Sequence, residues 1–300
     1  PLYDFLKSVI AMNKLDLRTP MIYLLMIIIV ILLIVLKKMD DNSKIISLKE
    51  SKKEKVELVD EKKTELKERI AIIEDPLPKY RGLVGIVIDD FGYRNDQISD
   101  GFLELDADLT YAIIPGHNHS VSFGEKAVRA GYEVIVHMPM ENTGKTYGEE
   151  KFVLMTNMDN DTIQRRLNTA LNLISMAVGM NNHQGSKASA DQHVMSNVAR
   201  IIKERDLFFL DSRTTVETIA VNTMEVFGVP TAQRNIFLDN DDDEAKIKQQ
   251  LMKLIKKAKK DGSAIGIGHV KLKTLNVLKK EIPQLKKAGF KFEFVSKMVH

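Results

Sequence analysis

The 300-residue chain is 44% apolar and contains no cysteine, which removes disulfides, thiolate nucleophiles and cysteine-ligated zinc from consideration. Its net charge of +3 comes from residues 1–81, while residues 82–300 are balanced. No basic patch interleaved with aromatic residues is present, so nucleic acid is not expected as a partner.

Residues 1–20 form a short N-terminal segment. The uninterrupted apolar run over 21–36, MIYLLMIIIVILLIVL, follows. As a helix rising ~1.5 Å per residue it covers ~24 Å of a ~30 Å hydrocarbon core, and Lys37 and Lys38 can snorkel across the remainder. The run ends in Lys37-Lys38-Met39-Asp40 rather than in small residues, so it predicts a retained transmembrane anchor and not a cleaved signal. The lysines after the span outnumber Lys14 and Arg18 before it, and the positive-inside rule alone would keep the following domain cytoplasmic. Residues 37–81 are dense in Lys and Glu and predict a charged helical or flexible stalk, closed by Pro76 and Pro78.

From residue 82 the texture changes. Short apolar runs recur as LVGIVI, LTYAII, YEVIVH, MAVGM, LFFL, NIFL, AIGIG and FKFEFV. Near-continuous apolar strands suit a parallel sheet covered on both faces. Between them, Ile163, Leu167, Ala170 and Leu171 repeat at helical spacing after Asp159, as do Val194, Val198, Ile201 and Ile202, and Ile247, Leu251, Leu254 and Ala258. The alternation predicts a single α/β domain over 82–300, an irregular (β/α) barrel of seven or eight mostly parallel strands.

Polar residues gather where these strands finish. They are Asp89-Asp90, His137, Asn181-Asn182-His183, Asp211 and Arg213, Arg234 and Asp239, and His269. In a parallel sheet all such ends lie on one rim, where active sites assemble. A lone strand-end aspartate is usually a helix cap, but six such ends in one register point to a site. One carboxylate with two imidazoles is a donor set for zinc or another divalent ion. Such an ion also explains the adjacent aspartates, which repel without a cation. Alternation along a strand predicts that one of the two ligates while its neighbour faces the attacking water.

VIDDFG, HMPM, NNHQGSKAS, LDSRTT, RNIFLDN and IGIGHV together resemble the divergent polysaccharide deacetylases, an envelope-associated branch distantly similar to the NodB-type carbohydrate esterases. The resemblance implies Asp89 as general base, Asp90, His137 and His183 as metal ligands, and His269 as general acid. Arg213 or Arg234 would orient the base, Asp211 or Asp239 would hold His269, and Asn182 would support the rim. The H-[ST]-x-x-H turn of the NodB-type enzymes is absent; the two imidazoles come from separate strand ends, as in the similar YdjC-type deacetylases. The implied activity is metal-dependent removal of N-acetyl groups from peptidoglycan or an oligosaccharide, with zinc as the first expectation, in an anchored and extracytoplasmic (periplasmic) domain. The competing expectation is a catalytically silent relative that binds glycan or a protein partner.

Other signals are weaker. His117 and His119 sit in a loop after Pro115 and suit a supporting rim position, and His193 lies on a helix start. TGKTYG lacks the first glycine of a phosphate loop, and DNDDDE lacks the glycine and terminal glutamate of a calcium loop.

Overall fold

The computed structural model describes residues 31–32, 35–40, 80–145 and 149–300. Residues 31–32 and 35–40 are helical, and among the described residues no helix is long and apolar enough to cross a membrane. Most of the expected anchor over 21–36 lies outside the described residues, as does the stalk over 41–79. Pro78–His300 forms one compact unit.

Among the described residues of this unit there are nine strands and seven helices. The strands are β1 (Gly82–Phe91), β2 (Thr110–Ile113), β3 (Glu133–Met140), β4 (Gly179–Gln184), β5 (Phe208–Asp211), β6 (Thr231–Gln233), β7 (Ile236–Phe237), β8 (Ser263–His269) and β9 (Phe290–Phe292). The helices are α1 (Gln97–Phe102), α2 (Ser120–Arg129), α3 (Asn160–Leu173), α4 (Gln192–Glu204), α5 (Ala220–Phe227), α6 (Glu244–Asp261) and α7 (Leu272–Lys287). Every pairing between these strands is parallel, in the order β6-β5-β4-β3-β2-β1-β8-β7, with β9 beside the start of β1.

The two ends of that path are successive pieces of one segment. Arg234 N donates to Asp211 O at 2.9 Å, on the β5 side, and Asn235 N donates to Ile265 O at 2.8 Å, on the β8 side. The sheet thus returns to itself through the covalent chain, giving the irregular ring of the sequence expectation. β6 was not visible as an apolar run because Thr-Ala-Gln is short and half polar.

Several helices start where a carboxylate caps them. Asp159, Asp191 and Asp243 each accept a first-turn backbone N–H of α3, α4 and α6, so the acidic run before α6 serves its N-terminus. The apolar positions at helical spacing are all buried and form the large core between sheet and helices. A second, smaller apolar cluster holds Val87, Ala112, Ile135, Leu210, Ile265 and Ile267 with Val295 and Met298 of the C-terminal segment. Its members share one parity along each strand, which makes them the inward face of the ring. At Gly85 this interior is so tight that a Cβ would stand 2.8 Å from Met298 Sδ.

Candidate metal centre

Continuing that inward parity toward the strand ends leads from Val87 to Asp89, from Ile135 to His137 and from Ile267 to His269. Asp89 and His269 stand level across β1 and β8, and His137 and Asn181 stand level across β3 and β4, with His183 two residues further along. Asp90 has the wrong parity, yet it also faces the centre. Between Ile88 and Phe91 the β1–β2 register slips, and Asp90 takes φ 69° in the left-handed region. The extra residue breaks the alternation. Here the expectation that the two aspartates point apart is corrected, because the bulge turns both onto one spot. Two neighbours secure the kink. Phe91 is buried and stacks on Phe123 with centroids 4.0 Å apart, and Gly92, at φ 118°, leaves no room for a Cβ against Ser120 Oγ and Ile114 O.

Asp90, His137 and His183 converge. Asp90 Oδ1 lies 3.4 Å from His137 Nε2 and 3.2 Å from His183 Nδ1, and the two nitrogens are 3.1 Å apart. Ligands ~2.0–2.1 Å from a tetrahedral ion stand about 3.3 Å from one another, which these three edges match. Asp90 Oδ1 is buried and accepts no hydrogen bond despite both imidazoles nearby, so the three donors address a shared point rather than each other. The residues fit a divalent cation.

Supporting contacts set the protonation of these groups. Asn181 Nδ2 donates to Asp89 Oδ1 at 2.9 Å, which turns its Oδ1 toward His137 Nδ1 at 2.7 Å. That carbonyl accepts the Nδ1 proton of His137 and leaves the Nε2 lone pair facing Asp90 and His183. Burial pushes the Asp89 carboxyl up, against the opposing pull of His137 and His269. For Asp90 burial acts the same way, but the close approach of the His137 and His183 imidazoles outweighs it and holds the carboxyl far below its usual range. Burial would lower His137, yet Asp89 and then Asp90 raise it to about 9. Two carboxylates this close together, one of them buried, thus demand positive charge.

His269 is held from behind. Asp239 Oδ1 lies 2.8 Å from its Nδ1, and Asp239 Oδ2 accepts from His269 N and Thr274 Oγ1, each at 2.7 Å. Burial works to lower the imidazole and is outweighed by the Asp239 hydrogen bond, so its pKa is raised. His269 Nε2 faces Asp90 Oδ2 at 3.9 Å. Between the two aspartates open at the sequence level, Asp239 is the one in contact. Asp211 points outward, accepting from Arg213 N at 2.7 Å and Thr218 Oγ1 at 2.9 Å.

Arg213 and Asn182 serve loops, and Arg234 reaches loop carbonyls while still acting electrostatically on Asp89. Arg234 donates to the carbonyls of Ser212 and Arg213, Arg213 is exposed, and the side chain hydrogen-bonded to Asp89 is Asn181. Asn182, of opposite parity, accepts from Ser212 N at 2.8 Å and donates to Gln184 O at 2.9 Å. His193 binds Met158 O at 2.9 Å, away from the rim. Two contributors had no role in the sequence reading: Asn181, named there only among the strand-end polar residues, and Glu149. Asn181 was findable, since it sits two positions before His183 on the same strand. Glu149, whose side chain is buried in the β3–α3 loop, was not; its Oε1 is 3.0 Å from His117 Nε2 and also accepts from Tyr93, and its Oε2 is 4.0 Å from His183 Nε2. His117 therefore lies on the rim beside the triad.

A model of the divergent polysaccharide deacetylases matches residues 86–299, a span containing every strand end described above. The chain belongs to that family. It is 36% identical over 208 residues to the uncharacterized protein YibQ of Escherichia coli K12, covering 69% of this chain and 65% of YibQ. An uncharacterized protein of Haemophilus influenzae is 36% identical over 195 residues, 65% of this chain and 69% of that protein. Among solved structures, the uncharacterized protein ATU2773 of Agrobacterium tumefaciens C58 shares the fold, with TM-score 0.67, 24% identity and coverage of 75% of this chain and 92% of that one.

Proposed function

We propose that the chain is a metal-dependent hydrolase that removes N-acetyl groups from an envelope glycan, such as peptidoglycan, or from an oligosaccharide. The observation that carries this reading is the Asp90–His137–His183 triangle, flanked by Asp89 on one side and His269 on the other. Family membership supports the substrate class. The apolar run over 21–36 supports a membrane anchor, and the resemblance to envelope-associated deacetylases, rather than the charges flanking that run, supports placing the domain on the envelope side.

Asp90, His137 and His183 would hold a divalent ion, zinc in the first instance, and when bound it would supply Lewis acidity toward an acetyl carbonyl and an attacking water. Asp89 takes the proton of that water; its raised pKa makes it a stronger base than a solvated carboxylate. Asn181 fixes Asp89 and His137 together. His269, kept protonated by Asp239, gives its Nε2 proton to the departing amine.

Metal analysis of the full-length chain, paired with acetate release from N-acetylated chitooligosaccharides, tests the proposal. About one divalent ion per chain is expected, lost in His137→Ala together with the acetate. A wild-type chain that takes up no divalent ion and releases no acetate overturns it. Protease added to intact cells should reach residues 82–300, and their protection would refute the envelope placement.

A further inference from the structure

Next to the triangle lies a cavity of about 280 Å³ lined by Asp90, Tyr93, Arg94, His269, Val270 and Lys271. That is just under the ~300–1,000 Å³ of typical ligand sites, room for one sugar ring rather than a long chain. Its walls have a definite chemistry. Tyr93 is half exposed and held in place, its hydroxyl donating to Glu149 and its ring 3.9 Å from that of His117. A fixed aromatic face is a platform for a pyranose, and the chain has no tryptophan to offer another such surface.

The cations are the unusual part. Arg94 donates from Nε to Asp96 Oδ2 at 2.7 Å, with Nη2 at the same distance, so the guanidinium is fixed while Nη1 makes no contact with Asp96. Asp96 also caps α1, accepting from Ile98 N and Ser99 N. Lys271 Nζ donates to Asp239 O at 3.3 Å and stands 3.9 Å from Asp239 Oδ2, which is engaged by His269 and Thr274. Asp90 is turned to the imidazoles. Each carboxylate at the cavity is thus already committed, while Arg94 and Lys271, which line it, keep N–H donors beyond those contacts.

We infer that this cavity binds a single N-acetylated sugar unit bearing an acidic substituent, a carboxylate or a phosphate, with Tyr93 under the ring and Arg94 and Lys271 on the acid. The inference rests on the deacetylase reading and narrows its substrate class.

Calorimetric binding to the full-length chain tests it, using N-acetylmuramic acid and N-acetylglucosamine 6-phosphate against neutral N-acetylglucosamine. At least one acidic sugar should bind about ten-fold or more tighter, as expected of charge-assisted hydrogen bonds. Whether the carboxylate or the phosphate sugar gains identifies the acid. The preference should shrink as salt rises, a readout that needs no variant. In the double variant Arg94→Gln, Lys271→Met the ratio should fall to about one. Equal affinities in the wild type, a preference indifferent to salt, or a preference surviving in the double variant overturns the inference. Acid preference without acetate release keeps the cavity assignment and removes the deacetylase reading. Acetate release without acid preference does the reverse.

Discussion

The floor and the rim of the ring are built from the same strands and behave as opposites. Along β1 the inward column runs Gly85, Val87, Asp89; along β8 it runs Ile265, Ile267, His269. At the floor these positions are apolar and sealed by Val295 and Met298. At the rim they are ionisable, and the backbone is bent to aim them. Among the described residues, Asp90, Glu149, Gln184 and Arg213 all take positive φ at the rim, and Asp206 is the remaining non-glycine case. Such residues cost on the order of 1–3 kcal/mol each and persist where surrounding packing over-determines them. The floor stabilises what the rim strains.

Separating the two regions by mutation gives the largest effect at the rim. Asp89→Asn should lower kcat for acetate release by ~10²–10⁴-fold, the usual worth of a general base, while thermal unfolding stays close to wild type. A collapse of stability instead would make Asp89 structural. The complementary change is Ile265→Ala in the floor, expected to cost about 2–5 kcal/mol in denaturant unfolding with metal stoichiometry retained. Should the metal be lost while the chain is still folded, floor and rim are not separable. Asp239→Asn acts through His269 and should cost ~10–100-fold in activity. Its sign in pH is fixed: Asp239 raises His269, so removing the charge lowers that pKa and moves the alkaline limb of the rate profile to lower pH. An unmoved limb would separate His269 from the acid step. Smallest of all, Arg213→Gly releases a left-handed residue that touches no reacting group. A gain of up to about 1 kcal/mol in stability and an unchanged kcat are expected. A large loss of kcat would restore Arg213 to the site.

How much of this was legible beforehand follows from local rules. Asp90, His137 and His183 stand out because each ends a buried apolar run. Asn181 was readable by the same alternation, as it shares parity with His183, whereas Asn182 does not. The choice between Asp211 and Asp239 stayed open at the sequence level because both follow short strands. Sheet order decides it, since β7 lies beside β8, with Phe237 opposite Ile267, and so delivers Asp239 to His269. The turn of Asp90 was hidden because nothing in DDFG marks the first residue after Asp89 as left-handed. Glu149 carries no strand or helix signal at all; only the folded β3–α3 loop brings it to His117.

The junction between Arg234 and Asn235 has its own consequence. Asn235 clasps Ile265 twice, donating its N–H to the carbonyl at 2.8 Å and accepting the Ile265 N–H on Oδ1 at 2.7 Å. The girdle is therefore buckled by one peptide link and not by a ladder. A nick at that link would unroll it into an open ribbon with two bare margins prone to self-association, while a nick in a helix-to-strand turn leaves the buckle fastened.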